Sequence, residues 1–174
     1  GRDGAIMGAE DRFRIVLRGR GGHSSRPDRV ADPVVPAAQL TLALQSVVSR
    51  DVDPRGATVL SITGIATDGA RNVLPSEVTI DGDVRHDDPA FGDRVETRLR
   101  TLAAGIAAGL GLTASVRYER VFAPTINDRV TTSGAGAAAR RVAGPDGVRE
   151  VRAETASEDV GRFFAARSGT LGFV

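Results

Sequence analysis

Two histidines stand in this chain, and each has neighbours that suggest chemistry. His23 lies in Gly21-Gly22-His23-Ser24-Ser25-Arg26-Pro27. Glycines before it let the backbone bend sharply and approach another surface closely. An imidazole on such a loop can donate to an oxyanion or shuttle a proton; a surface histidine with no task fits the same residues. Ser24 and Ser25 are poor nucleophile candidates beside it, because sequence neighbours rarely reach triad geometry. His86-Asp87-Asp88 reads as a metal-binding fragment or as a strand end followed by a helix cap. Two histidines without a third ligand at metal spacing favour the cap. Asn72, in Ala70-Arg71-Asn72-Val73-Leu74-Pro75, and Arg85, at the end of a two-faced segment, are the other candidates. Arginine offers a planar fork for a carboxylate and asparagine a neutral donor; an ion pair from Arg85 to Asp83 or Asp87 is the equal alternative.

Composition narrows the classes. The chain has 174 residues, 41% hydrophobic and 26% charged, which are ordinary globular values and argue against a disordered or fibrous chain. No apolar run approaches the roughly 18 residues of a membrane helix. No signal-peptide pattern opens the sequence, so a cytoplasmic protein is expected. The start at Gly1-Arg2-Asp3 reads as a cut inside a larger protein. Cysteine is absent, which excludes disulfides and thiolate metal sites in this stretch. All 23 basic residues are Arg, set against 22 interspersed acidic residues, and only seven residues are aromatic. Neither a basic face nor a base-stacking surface is expected, so nucleic acid is not a predicted partner. Arg18-Gly19-Arg20-Gly21-Gly22 reads as a strand-to-loop turn rather than an RNA-binding tract, and no Gly-Lys-Ser/Thr follows to make a phosphate loop.

Periodicity supplies the elements that must position these residues. Phe13, Ile15 and Leu17 alternate with Arg12, Arg14 and Arg18, a half-buried strand. Asp32-Pro33 opens a helix over about 33–50, with Leu40, Leu44, Val47 and Val48 at helical spacing. Asp53-Pro54-Arg55-Gly56 is a turn before a strand at 57–66. Val78, Ile80 and Val84 alternate with Glu77, Thr79, Asp81, Asp83 and Arg85. Asp88-Pro89 caps a second helix over about 89–109, and Ala114, Val116 and Tyr118 mark a last strand. The order β-α-β-β-α-β over 10–122 predicts an α+β, ferredoxin-like fold: a four-stranded antiparallel sheet with both helices on one face. Beyond Pro124 the pattern predicts a helix at about 129–143, a turn at 144–147, a strand near 148–152, a helix at about 158–166 capped by Ser157, and a strand toward Val174. That alternation is part of an α/β domain too short to close its own core.

Several segments, in order, resemble the metal-dependent amidohydrolase and peptidase family of aminoacylases, hippurate hydrolases, auxin-conjugate hydrolases and carboxypeptidase G. They are Gly4-Ala5-Ile6-Met7-Gly8, Gly19-Arg20-Gly21-Gly22-His23-Ser24-Ser25-Arg26-Pro27, Asp32-Pro33-Val34-Val35, Ala43–Arg50, Asn72-Val73-Leu74-Pro75, Gly82-Asp83-Val84-Arg85 and Ser157-Glu158-Asp159. The resemblance implies a lid and dimerisation domain over 10–122, with residues 1–9 and 123–174 as strips of an α/β catalytic domain. It implies hydrolysis of the amide bond of an N-acyl amino acid or similar small conjugate. Two divalent metal ions, zinc or similar, would activate a bridging water, their ligands lying outside this chain. His23 corresponds to the histidine that, in dimeric members, reaches into the neighbouring subunit and stabilises the oxyanion. Asn72 and Arg85 correspond to residues that hold the substrate, particularly its carboxylate. The sequence departs from that branch at Asp28, at Thr67-Asp68 and at Val160. The implied partners are a second copy, joined through the lid, and a small substrate. The alternative is a stand-alone ferredoxin-like module that dimerises or binds a small molecule without catalysis.

Overall fold

The computed structural model describes residues 1–54 and 56–173. Its strands are β1 (Gly4–Met7), β2 (Ala9–Arg18), β3 (Gly22–His23), β4 (Thr58–Thr67), β5 (Val73–Leu74), β6 (Glu77–His86), β7 (Thr113–Phe122) and β8 (Thr125–Asn127). Its α-helices are α1 (Val34–Ser46), α2 (Pro89–Gly109), α3 (Arg129–Ala143) and α4 (Val160–Ala166). The central sheet runs β4-β6-β2-β7 with every neighbour antiparallel. β2 and β4, joined through α1, are separated by β6, which makes the split β-α-β arrangement of the ferredoxin-like fold.

The alternation read in β2 and β6 governs the core. Phe13, Ile15 and Leu17 from β2 and Val78, Ile80 and Val84 from β6 pack against Leu40, Leu44 and Val47 of the first helical segment and Val95, Leu99 and Ala103 of α2. Gly82 interrupts the apolar face of β6 for a steric reason: a Cβ there would run into the ring of Phe13, its partner across the ladder. The opposite face carries ion pairs, Arg14 to Asp81 at 2.7 Å and Arg18 to Glu77 at 2.9 Å. The helix starts follow the capping expectation. Asp88 accepts from Ala90 N at 2.9 Å, and Asp32 from Val34 N at 2.8 Å. The first helix is α-helical to Ser46 and widens into a π-turn over Val47–Asp51. The expected turn at 53–56 includes Arg55, outside the described residues; Gly56 N donates to Asp53 O at 3.0 Å.

The tail departs from expectation in three places. Residues 148–153 form no strand; their neighbour Glu154 instead makes a parallel bridge to Met7, and Gly8 N donates to Glu154 O and Ala156 O at 3.0 and 2.9 Å. α4 begins at Val160, with Asp159 rather than Ser157 at its cap position, because Ser157 is drawn to Arg85. Residues 167–173 run without strand pairing, and Val174 lies outside the described residues. They are tied down by the side chain of Asn127, which receives Leu171 N at 2.7 Å and donates to Leu171 O and Arg2 O at 2.9 and 2.8 Å, by Asp128 N on Gly169 O at 2.9 Å and by the Thr132–Thr170 hydroxyl pair. β8 pairs antiparallel with β1, so the chain's two ends share one small layer. α3 coincides with the helix expected at about 129–143, yet it buries none of its residues.

Candidate functional site

The glycine tract after β2 sets the position of His23 by close backbone packing. Gly19 N donates to Ser76 O at 2.9 Å, and Arg20 and Ala31 exchange backbone hydrogen bonds at 3.0 and 2.9 Å. A Cβ on Gly19 would collide with the carbonyl oxygen of Ala31; one on Gly21 would lie 2.6 Å from Leu74 O, and one on Gly22 2.7 Å from Val30 Cγ1. None of the three has a positive φ, so their role is close approach rather than a left-handed turn. The result is a two-stranded ribbon, with Gly22 opposite Leu74 and His23 opposite Val73, extended by Ser24 N donating to Asn72 O at 3.0 Å. His23 and Asn72, 49 positions apart in sequence, therefore sit on one ribbon with both side chains exposed.

A tight turn follows, closed by Arg26 N to His23 O at 2.9 Å. Inside it the Nδ1 atom of His23 lies 3.2 Å from Ser25 N and 2.8 Å from Ser25 Oγ. Asp28 pairs through both oxygens with Arg26 at 3.1 and 3.0 Å, and that hydrogen bonding lowers its pKa. At the other root of the ribbon Asp68 accepts from Ser76 Oγ, Ser76 N and Glu77 N, and these bonds, the Ser76 hydroxyl's first, lower its pKa. Two of the three departures from the family branch, Asp28 and Asp68, thus make side-chain bonds at the roots of this ribbon, while Val160 starts α4.

Arg85 is elsewhere. Eight residues of β6, about 26 Å of strand, separate it from Glu77, beside which the ribbon springs from the sheet. Its guanidinium is engaged on every side: Nε and Nη2 donate to Asp83 at 2.7 and 3.1 Å, Nη2 meets Glu10 at 3.0 Å, and Nη1 donates to Ser157 Oγ at 2.8 Å. Of the three candidates, two are brought together and the third lies at the far end of the sheet.

Sequence reasoning missed a buried polar cluster on the opposite face from Arg85. Asp11 is fully buried, and its Oδ2 accepts from His86 Nε2 at 3.0 Å, Tyr118 OH at 2.8 Å and Arg120 Nη1 at 2.9 Å. Burial, then the charge of Asp11, pushes the Tyr118 phenol far above its ordinary pKa, so it remains a donor. Arg120 lies over the Tyr118 ring at 4.5 Å and continues to Asp93 and Glu96 at 2.7 and 3.0 Å. A cavity of about 220 Å³ adjoins the cluster, lined by Asp11, His86, Arg120, Phe122, Pro124 and Arg162 among others. The available signal was parity: Asp11, His86 and Arg120 are polar residues at inward positions of three strands. His86 is thus a buried structural histidine, and among the described residues no group of three or more His, Asp or Glu could hold a metal ion.

Residues 11–109 match the model of the peptidase dimerisation domain of the M20 family. The chain belongs to the M20 peptidase family. Two curated relatives illustrate the likeness. N-acetylcysteine deacetylase of Bacillus subtilis is 35% identical over 88% of this chain and 39% of its own length. Hippurate hydrolase of Campylobacter jejuni is 32% identical over 99% of this chain and 45% of its own length. The chain thus spans about two fifths of the length of these curated relatives. A dinuclear metal-binding M20 peptidase of Bacillus subtilis superposes with a TM-score of 0.74 at 27% identity, covering 97% of this chain and 41% of that one. The ordered motifs of the ribbon and the ferredoxin-like topology therefore belong to an M20 dimerisation domain, and among the described residues no helix is long and apolar enough to cross a membrane.

Proposed function

We propose that residues 10–122 are the lid of a metal-dependent amidohydrolase that cleaves the amide bond of N-acyl amino acids or similar small conjugates. Residues 1–9 and 123–174 are then strips of its catalytic domain. The observation that carries this reading is the His23–Asn72 ribbon: two exposed polar side chains held rigidly at a sheet end with no catalytic partner of their own. Such a pair completes a cleft belonging to another domain or subunit. In that cleft His23 donates to the oxyanion forming at the scissile carbonyl, and Asn72 holds the substrate. The two metal ions expected of the whole enzyme do not fit the residues present here, so no step is assigned to them. The deciding experiment offers the full-length enzyme N-acetyl and N-benzoyl amino acids with divalent metal supplied. Release of the free amino acid is expected; no release from any of them overturns the reading.

The partner is a second copy. α1 contains no charged residue and leaves Val35 56% and Leu42 75% exposed. Exposed Val35 and Leu42 on an uncharged helix, beside Gln39 and Gln45, make a face suited to burial in an assembly. β4, over which α1 packs, is an edge strand of the sheet with Val59 and Ile65 exposed. Antiparallel pairing of two β4 edges about a two-fold axis buries both features at once. Leu42→Arg combined with Ile65→Lys is expected to convert a dimer to a folded monomer in light scattering; a dimer that persists at micromolar concentration would refute this face.

For Arg85 the reading is narrower. A substrate carboxylate could use its fork only if Asp83 or Ser157 gave way. Arg85→Ala is expected to raise KM for free-acid substrates several-fold more than for their esters. An unchanged acid-to-ester ratio would leave Arg85 as a clamp between β6 and Ser157.

A further inference from the structure

We propose that Ser25 is a positioning residue that fixes the neutral His23 ring as its Nε2–H tautomer, so that the ring presents a hydrogen-bond donor outward. The inference rests on the role proposed above for His23. A neutral imidazole has one protonated nitrogen and one lone-pair nitrogen. The backbone amide of Ser25 is 3.2 Å from Nδ1, and an amide N–H can only donate. Nδ1 must therefore carry the lone pair, and the proton sits on Nε2. The Ser25 hydroxyl, 2.8 Å from the same atom, then donates too, since its proton rotates freely to suit. The amide tolerates no hydrogen on Nδ1, and the hydroxyl, able to donate or to accept, follows it as a second donor that holds the ring against the turn.

The amide of Ser25 is not free to swing away. The turn containing it is closed by Arg26 N on His23 O, and its other side is tied by Ser24 N on Asn72 O. Nε2, by contrast, has no partner among the described residues, and the residue is exposed. The ring is thus a one-way device: acceptor toward its own turn, donor toward whatever docks. That suits a carbonyl oxygen gaining negative charge, whose stabilisation depends on donors that are already aligned. It does not suit a general base, which would need the outward nitrogen bare.

Two measurements test this. Long-range proton–nitrogen NMR of the chain, with His23 assigned by its loss in His23→Gln, is expected to show Nδ1 as the bare nitrogen and Nε2 as the protonated one at neutral-ring pH. Ser25→Ala keeps the amide but removes the hydroxyl. Without the 2.8 Å hydroxyl bond the exposed ring is free to turn away from the amide, so a detectable population of the other tautomer is expected, with kcat of the full-length enzyme lowered about 2–10-fold, the worth of one ordinary hydrogen bond, and KM unchanged. Ser25→Thr, which restores the hydroxyl, is expected to rescue both. A protonated Nδ1 in the parent chain, or a Ser25→Ala enzyme with unaltered tautomer and kcat, overturns the proposal. Failure of the underlying reading looks different: His23→Ala would then leave kcat intact whatever the tautomer.

Discussion

His23→Ala in the full-length enzyme is expected to lower kcat roughly 10²–10³-fold, the usual cost of losing one oxyanion donor, while KM stays within a few-fold. The split follows from where the imidazole acts. A donor aimed at charge that appears only in the transition state contributes little to ground-state binding, so its loss falls on kcat. The mutation should cost little stability, because the side chain is exposed and the ribbon is held by backbone bonds to Asn72, Val73 and Leu74 rather than by the ring. Unchanged unfolding with a collapsed kcat separates chemistry from damage. The proposal that His23 serves the partner subunit's cleft gives a sharper result. Mixing His23→Ala subunits with subunits inactivated in the catalytic domain is expected to restore activity, because each mixed dimer has one cleft served by an intact imidazole. A kcat within a few-fold of the parent removes His23 from the mechanism; absence of complementation confines it to its own subunit.

The central sheet was legible because its signals are local. Alternation in β2 and β6 and the Asp-Pro starts of both helices each need fewer than ten residues to read, and they sufficed for the ferredoxin-like topology. What escaped depends on contacts between distant segments. Ser157 has the chemistry of a helix cap, but Arg85, 72 positions away, claims its hydroxyl. Residues 148–153 have strand-like composition and no strand to pair with, since Met7 reaches Glu154 instead. At the site, the glycine tract announced close approach, yet nothing local named Ala31, Val30 and Leu74 as the surfaces approached. The union of His23 with Asn72 is therefore a tertiary fact, carried in the sequence only by the family resemblance. His86-Asp87-Asp88 reads locally as a strand end before a helix cap, and so it is, but only the inward parity of His86 points to its partner Asp11, 75 positions away.

That parity has the second large consequence: Asp11→Ala is expected to cost about 3–5 kcal/mol of stability, the penalty for stranding the partners of a buried charge. Asp11 is the common acceptor for His86, Tyr118 and Arg120, so its removal leaves the buried His86 Nε2 and the half-buried Tyr118 hydroxyl facing a methyl group. Arg120 retains Asp93 and Glu96, which limits the loss on that side. α2 cannot close over the gap with a larger residue, since a Cβ at Gly92 would already lie 2.5 Å from His86 Nε2. Urea unfolding is the measurement, and the double variant Asp11→Ala with Tyr118→Phe should lose less than the sum of the two singles. A loss under about 1 kcal/mol would mean the three donors find other partners. The position explains why the effect matters to function. Glu10 and Asp11 are consecutive, so their side chains leave β2 on opposite faces, one to Arg85 and the other to His86, themselves consecutive on β6. The start of β2 therefore grips the end of β6 from both sides, next to Ser157, which accepts from Arg85. If residues 10–122 are the proposed lid, a weakened grip at this end is expected to shift the sheet against the remainder of the chain, and the His23 ribbon with it. Asp11→Ala should consequently lower kcat beyond what the unfolded fraction explains, with no residue of the ribbon altered.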